Sequence, residues 1–104
     1  MPVLRYTDSA ENDLLEAWLF IAEDSQRAAD RVVESIDREG RHLLAHPQMG
    51  RERPELGDGL RSWPTATPYI LFYLADAEGI VVVRVLHHAR DIAAIADWPR
   101  NQGG

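Results

Sequence analysis

Tyr69-Ile70-Leu71-Phe72-Tyr73-Leu74 and Ile80-Val81-Val82-Val83-Arg84-Val85-Leu86-His87 flank the turn residues Asp76-Ala77-Glu78-Gly79, and this hairpin decides the fold. The second run holds four valines in six residues, Ile80 to Val85, and is the most β-like stretch of the chain. Asp, Glu and Gly between two apolar runs supply the turn. Alternation places Tyr69, Leu71 and Tyr73 on one face of the first strand, and Ile70, Phe72 and Leu74 on the other. Both faces are apolar, which is more than a sheet covered by helices on one side requires. Something is therefore expected to cover the second face, either a partner or, in part, a short final helix.

Upstream the period changes from two to 3.6. Val3 to Thr7 reads as an opening strand, and Asp8 or Ser9 as the cap of a first helix, with Glu11 near its positive end. Ala10, Leu14, Ala17, Trp18, Ile21 and Ala22 recur at helical spacing, which makes Trp18 a core residue. After Glu23-Asp24, Ser25 caps a second helix whose apolar face is Ala29, Val32, Val33, Ile36, Leu43 and Leu44. That helix stops near His46, because Pro47 disfavours helical backbone in the residue before it. So short a link makes the two helices antiparallel neighbours. Pro47 to Gly59 reads as an irregular loop, Leu60 to Trp63 as the start of the β half, and Pro64 to Pro68 as a turn. Asp91 is expected to cap a final helix, Ile92 to about Ala96, and residues 101–104 to form a loose tail. The expected architecture is α+β, one domain over residues 1–104: an N-terminal helical hairpin on a small antiparallel sheet, in the order β-α-α-β-β-β-α.

Composition narrows the function. The 104 residues carry a net charge of −6, which argues against a domain whose whole surface embraces nucleic acid. No segment approaches the roughly 20 apolar residues of a membrane span, and the first residues carry no signal-peptide pattern. The absence of cysteine excludes disulfides and thiolate metal sites and fits a cytoplasmic protein. All 11 basic side chains of the Lys and Arg class are arginine, so lysine chemistry is excluded.

Two stretches carry a family resemblance. One is Pro47-Gln48-Met49-Gly50-Arg51-Glu52-Arg53-Pro54-Glu55-Leu56 with Gly59-Leu60-Arg61-Ser62-Trp63-Pro64 and Tyr69-Ile70-Leu71-Phe72-Tyr73. The other is Val83-Arg84-Val85-Leu86-His87-His88-Ala89-Arg90-Asp91. Together, and with the helical hairpin before them, they resemble the ParE branch of the RelE/ParE toxin superfamily, from Val3 to about Ile95. The resemblance implies a growth-inhibiting toxin of a type II toxin–antitoxin pair, silenced by a ParD-like antitoxin whose flexible tail folds along it. It implies DNA gyrase as target, with no cofactor and no catalysis by the toxin itself. The related RelE branch uses the same fold to cut messenger RNA on the ribosome, and a degenerate member that binds antitoxin with little toxicity is a third possibility. Fold alone does not choose among them.

Cleavage of RNA needs a base, an acid and cations for the phosphate. Arg61, Arg84 and His88 are the candidates for that chemistry, with His87 and Arg90 nearby. Regular alternation puts Arg84 with Ile80, Val82 and Leu86, and His87 with Val81, Val83 and Val85, so the two point apart unless a bulge intervenes. Leu74 and Ala75 stand where such nucleases often place an arginine, and Trp98 stands where they tend to carry a tyrosine. No catalytic residue is therefore assigned. His87 is read as a hydrogen-bonded strand end, and adjacent His87 and His88 without further ligands give no metal site. The expected partner-contacting residues are the aromatics Trp63, Tyr69 and Tyr73, together with Arg84 and Arg90. Arg27, Arg31, Arg38 and Arg41 lie within about 80° on the second helix, opposite its apolar face. With Glu34 among them and Asp30 and Asp37 beside them, they form either a solvated, ion-paired face or a docking stripe.

Overall fold

In the computed structural model, residues 1–90 are described together with Ile92, Ile95 and Trp98. The elements are β1 (Val3–Tyr6), α1 (Asp8–Ala22), α2 (Gln26–Ala45), β2 (Arg51–Glu52), β3 (Arg61–Pro64), β4 (Tyr69–Asp76) and β5 (Gly79–His87). They form a helical hairpin on one five-stranded sheet in the order β1-β5-β4-β3-β2. The α+β architecture is the expected one, with two refinements. Strands β2 to β5 are antiparallel neighbours, but β1 returns beside β5 in parallel, so the sheet is mixed. The stretch expected to be an irregular loop contains β2, paired to β3 through Arg51 with Ser62 and Glu52 with Arg61. The expected C-terminal helix with its Asp91 cap, and the tail at 101–104, lie outside the described residues.

Thr7, rather than Asp8 or Ser9, is the N-cap of α1, its hydroxyl oxygen accepting the Ala10 N–H at 3.1 Å. Ser25 caps α2 in the same way through the Ala28 N–H. At the other end α2 stops at Ala45, with His46 as C-cap, as Pro47 demands. Pro64 is tolerated in β3 because β2 covers only Arg61 and Ser62, leaving no ladder bond for the missing N–H to donate. Gly79 opens β5 at φ 138°, in the left-handed half of backbone space. Its turn is tied to β1 by the Arg5 guanidinium, which grips Asp76 at 2.7 and 2.8 Å while Asp76 also accepts the Glu78 N–H.

Each sheet face has its own core. Under the helices lie Ala10, Ala17, Ile36, Leu43, Tyr69, Leu71, Tyr73, Ile80, Val82 and Val85. On the far face Phe72, Val83, Leu86 and Leu60 are buried, with Leu56, Ile70, Leu74, Val81, Ile92, Ile95 and Trp98 packed around them. The chain thus covers its second face itself. Leu56 and Leu60 bring the 53–60 segment over it, Arg53 stands 5.8 Å above the Phe72 ring, and Trp98 meets Phe72 edge-on at 4.8 Å. The apolar second face gives no reason to invoke a partner. Trp18 is also displaced from its expected role: it is half-buried and donates from Nε1 to Asp30 of α2, tying the two helices at their margin.

The candidate binding surface and the spent arginines

The register of β4 on β5 slips between Phe72 and Tyr73: Tyr73 faces Val82 and Phe72 faces Arg84, so Val83 has no partner. This β-bulge overturns the regular alternation beyond Val82. Val85 joins Ile80 and Val82 under the helices, while Val83 and Leu86 join the far-side core. The bulge also falls where β1 ends and β5 becomes an edge, and α1 seals that edge. The Thr7 hydroxyl donates to the Val83 carbonyl at 3.0 Å while capping α1. Asp13, one helical turn and a half further on, accepts the Val85 N–H at 2.9 Å. The same carboxylate takes Arg84 Nε at 2.7 Å and Nη2 at 3.0 Å, with the two side chains 14% and 5% exposed. The sequence reading named Arg84 but missed Asp13. Its signal was a lone acid on the inward side of α1, between Ala10 and Ala17.

The candidate residues for RNA chemistry are not assembled. Arg61 Nη1 donates to the carbonyls of Gln48 and Gly50 at 3.1 and 2.8 Å, fixing the loop into β2. Arg84 is held by Asp13. The cross-strand partners of the two arginines, Tyr73 and Phe72, belong to opposite sheet faces. His88 lies beyond the end of β5, exposed, its ring stacked on His87 at 4.6 Å. His87 accepts the Ala89 N–H on Nδ1 and meets the edge of Tyr69 at 5.3 Å.

The expected partner-contacting aromatics face inward. Tyr73 is fully buried, its hydroxyl donating to the Pro47 carbonyl at 2.8 Å and accepting the Gly50 N–H at 2.9 Å. Burial holds the Tyr73 phenol above its ordinary pKa. It cannot anchor a partner, because no part of it reaches the surface. Trp63 is half-buried and donates from Nε1 to Glu39. Tyr69 is 9% exposed, at the floor of a cleft. That cleft, of about 450 Å³, runs between α1 and the ends of β4 and β5, lined by Asp13, Glu16, Ala17, Phe20, Tyr69 and Val85 with His87 and Arg90 at its mouth.

What the surface does offer is on α1. Leu15, Leu19 and Phe20 are 55%, 54% and 68% exposed. Leu15 and Leu19 are one turn apart, and Phe20 adjoins the cleft. Exposed Glu11 flanks the Leu15–Leu19 pair, and exposed Glu16 and Glu23 fall between it and Phe20 by the helical period. Sequence reading passed over these apolar side chains, since α1 is apolar around most of its girth and only the buried stripe was followed. On α2, Arg27, Arg31 and Arg38 stand exposed, and Arg41 pairs with Asp37 at 2.8 Å. Asp37 also accepts the Tyr6 hydroxyl at 2.7 Å. Burial raises the Asp37 pKa, but the bonds from Tyr6 and Arg41 outweigh it and leave the carboxyl below its usual value.

A hairpin on a mixed sheet, with a sealed edge, a self-covered second face and exposed apolar side chains left on α1, defines a small α+β domain. The family described as ParE toxin of type II toxin–antitoxin system, parDE, matches residues 4–92, and the chain belongs to it. Toxin ParE3 of Caulobacter vibrioides is 29% identical over 68 residues, 65% of this chain and 67% of its own length. The structure of the chromosomal ParDE system from P. aeruginosa superposes with a TM-score of 0.69 at 20% identity, covering 84% of this chain and 96% of that one. No helix among the described residues is long and apolar enough to cross a membrane.

Proposed function

We propose that this toxin inhibits growth by binding DNA gyrase, the usual target of the ParE branch, and that a ParD-like antitoxin silences it by laying its tail along α1. The observation that carries the protein-binding reading is the exposure of three large apolar side chains on α1: Leu15 and Leu19, one turn apart, and Phe20, which lines the cleft. Exposed apolar side chains this large are what an amphipathic partner segment buries. The acidic neighbours Glu11, Glu16 and Glu23 favour a segment with basic residues flanking its apolar anchors. Against RNA cleavage stands the engagement of Arg61 and Arg84 in structural contacts, with the Gln48 and Gly50 carbonyls and with Asp13. Arg61, Arg84 and His88 share no cleft among the described residues: the one beside α1 is lined by Glu16, His87 and Arg90 and by none of the three, whereas general acid–base catalysis needs its groups at one point.

Purified toxin added to gyrase and relaxed plasmid is expected to block supercoiling or trap cleaved DNA, and equimolar antitoxin to relieve the block. Unaffected gyrase together with cut mRNA in a ribosome assay would reverse the assignment. Unimpaired growth on induction would make the chain an antitoxin-binding member without toxicity.

A further inference from the structure

The last turn of α2 carries a second chemistry, unrelated to the apolar side chains of α1. His42 and His46 are four residues apart, both exposed, and their ring centres lie 5.5 Å apart at 54°. The turn closed by the Met49 N–H on the His46 carbonyl, at 3.0 Å, brings Met49 back beside them. His42, His46 and Met49 line one concavity with Pro47 and Gln48. We propose that this helix end is a surface site for a borderline-soft transition-metal ion of the Zn²⁺, Ni²⁺ and Cu²⁺ class. His42 and His46 chelate the ion, Met49 supplies a weaker thioether contact, and water completes the shell.

Geometry and electrostatics carry the assignment. Imidazole nitrogens bind zinc at about 2.0–2.1 Å, which sets each ring centre roughly 3.2 Å from the metal. Two such rings at a tetrahedral angle have centres about 5.2 Å apart, close to the observed 5.5 Å separation, and rotation of the exposed rings can aim a nitrogen of each at one ion. His42 sits in the last turn of α2 and His46 is its C-cap, with non-helical backbone (φ −138°, ψ 66°), so the pair is brought together by the helix end and not by a regular helical motif. The C-terminal end of a helix carries partial negative charge, so a cation there is favoured. Imidazole with thioether selects Zn, Ni and Cu over Mg and Ca. Among the described residues no third His, Cys, Asp or Glu joins the pair, so the site remains open on one side and its affinity is that of a two-point chelate. His87 and His88, the other histidines of the chain, stack face to face beyond a strand end and do not form an equivalent pair.

The test titrates ZnCl₂, and separately NiCl₂, into the purified full-length chain by calorimetry. One equivalent is expected to bind, Ni²⁺ more tightly than Zn²⁺. Either H42N or H46N alone is expected to weaken binding on the order of 100-fold, since the second ligand acts at high effective concentration. M49L should weaken it less, and H87N and H88N should leave it unchanged. Both α2 histidines are exposed, so their replacement leaves the core intact, and unchanged thermal unfolding of the metal-free variants checks this. Paramagnetic broadening by Ni²⁺ should erase NMR signals around residues 42–49 first. Equal affinity in wild type and H42N, or broadening centred on residues 87–88, overturns the site.

Discussion

Asp13 concentrates more of the fold's polar bonding than any other buried side chain described, which makes it the sharpest point at which to test the structure. Its carboxylate accepts Arg84 twice and the Val85 N–H once, on the edge strand just past the bulge. Both partners are nearly out of water, at 14% and 5% exposure, so surface-pair values do not apply. Removing one member of a buried pair costs about 3–5 kcal/mol, because the remaining charge keeps its desolvation penalty. D13A removes the partner charge and also takes the acceptor from the Val85 N–H, so about 3–5 kcal/mol is its expected cost. D13N keeps one amide oxygen for that N–H and is expected to recover roughly 1–2 kcal/mol of it. At this size about 4 °C of Tm follows each kcal/mol, so D13A should melt about 12 °C or more below wild type.

The assay that decides is a double-mutant cycle by urea unfolding on D13N, R84M and the pair. Replacing both charges by neutral groups of similar volume is often close to neutral. The double variant is therefore expected to be more stable than either single one, with a coupling energy of about 2 kcal/mol or more. Additive costs, or a D13A variant within about 1 kcal/mol of wild type, would refute the reasoning and return α1 to packing on β5 by apolar contact alone.

The remaining expectations are independent of that pair. Y73F removes a hydroxyl held between the Pro47 carbonyl and the Gly50 N–H, and should cost about 1–3 kcal/mol in chemical denaturation; its antitoxin affinity should be unchanged, since Tyr73 has no exposed surface. L19E with F20E should lower antitoxin affinity at least tenfold in a binding titration while leaving Tm within a few degrees, because both side chains are already in solvent. Replacing Arg27, Arg31, Arg38 and Arg41 together by glutamine should lower antitoxin on-rates at low salt if the stripe docks a partner, and leave them unchanged if it is only a solvated face. The lowered pKa of Asp37 stabilises the folded state above the unfolded value of 3.8, and that contribution is lost as pH falls through the folded value. D37N should therefore flatten the acid limb of the stability–pH curve below about pH 4. The Tyr6 phenol is raised, first by burial and then by its bond to Asp37, so its contribution is present below pH 10 and is lost only in strong alkali.

The helices and the β4–β5 hairpin were legible because periodicity is a local property: Ser25, Pro47 and the 76–79 turn mark their boundaries in the sequence itself. The bulge was not legible. Nothing in Val82-Val83-Arg84-Val85 distinguishes a regular strand from one with an extra residue, since three valines suit either face. The choice is made by partners distant in sequence: Thr7 takes the Val83 carbonyl, and Asp13 takes both Arg84 and the Val85 N–H. For the same reason the far-side cover was misjudged. Leu56 and Leu60 sit in a segment rich in Gly, Pro and charge, and only the tertiary fold shows that they return over Phe72.

The site was obscured by a more general asymmetry. Aromatics attract attention as anchors, yet in a chain this short the largest side chains are needed for the core, and Phe72 and Tyr73 are spent there at 0% exposure. Arginines attract attention as ligand-binding cations, yet Arg5, Arg53, Arg61 and Arg84 each close a loop or an edge. What is left for a partner is the remainder after folding has used what it needs. On α1 that remainder is apolar with acidic neighbours, and on α2 it is a run of arginines. Two surfaces of such different chemistry on one hairpin suit a partner segment that is itself two-sided: apolar and basic where it crosses α1, acidic where it reaches α2. A single amphipathic tail that turns across the hairpin can satisfy both, and loss of both contacts should then exceed the loss of either. Two independent partners would instead compete for neither surface. Antitoxin affinity in the combined α1 and α2 variants separates these cases.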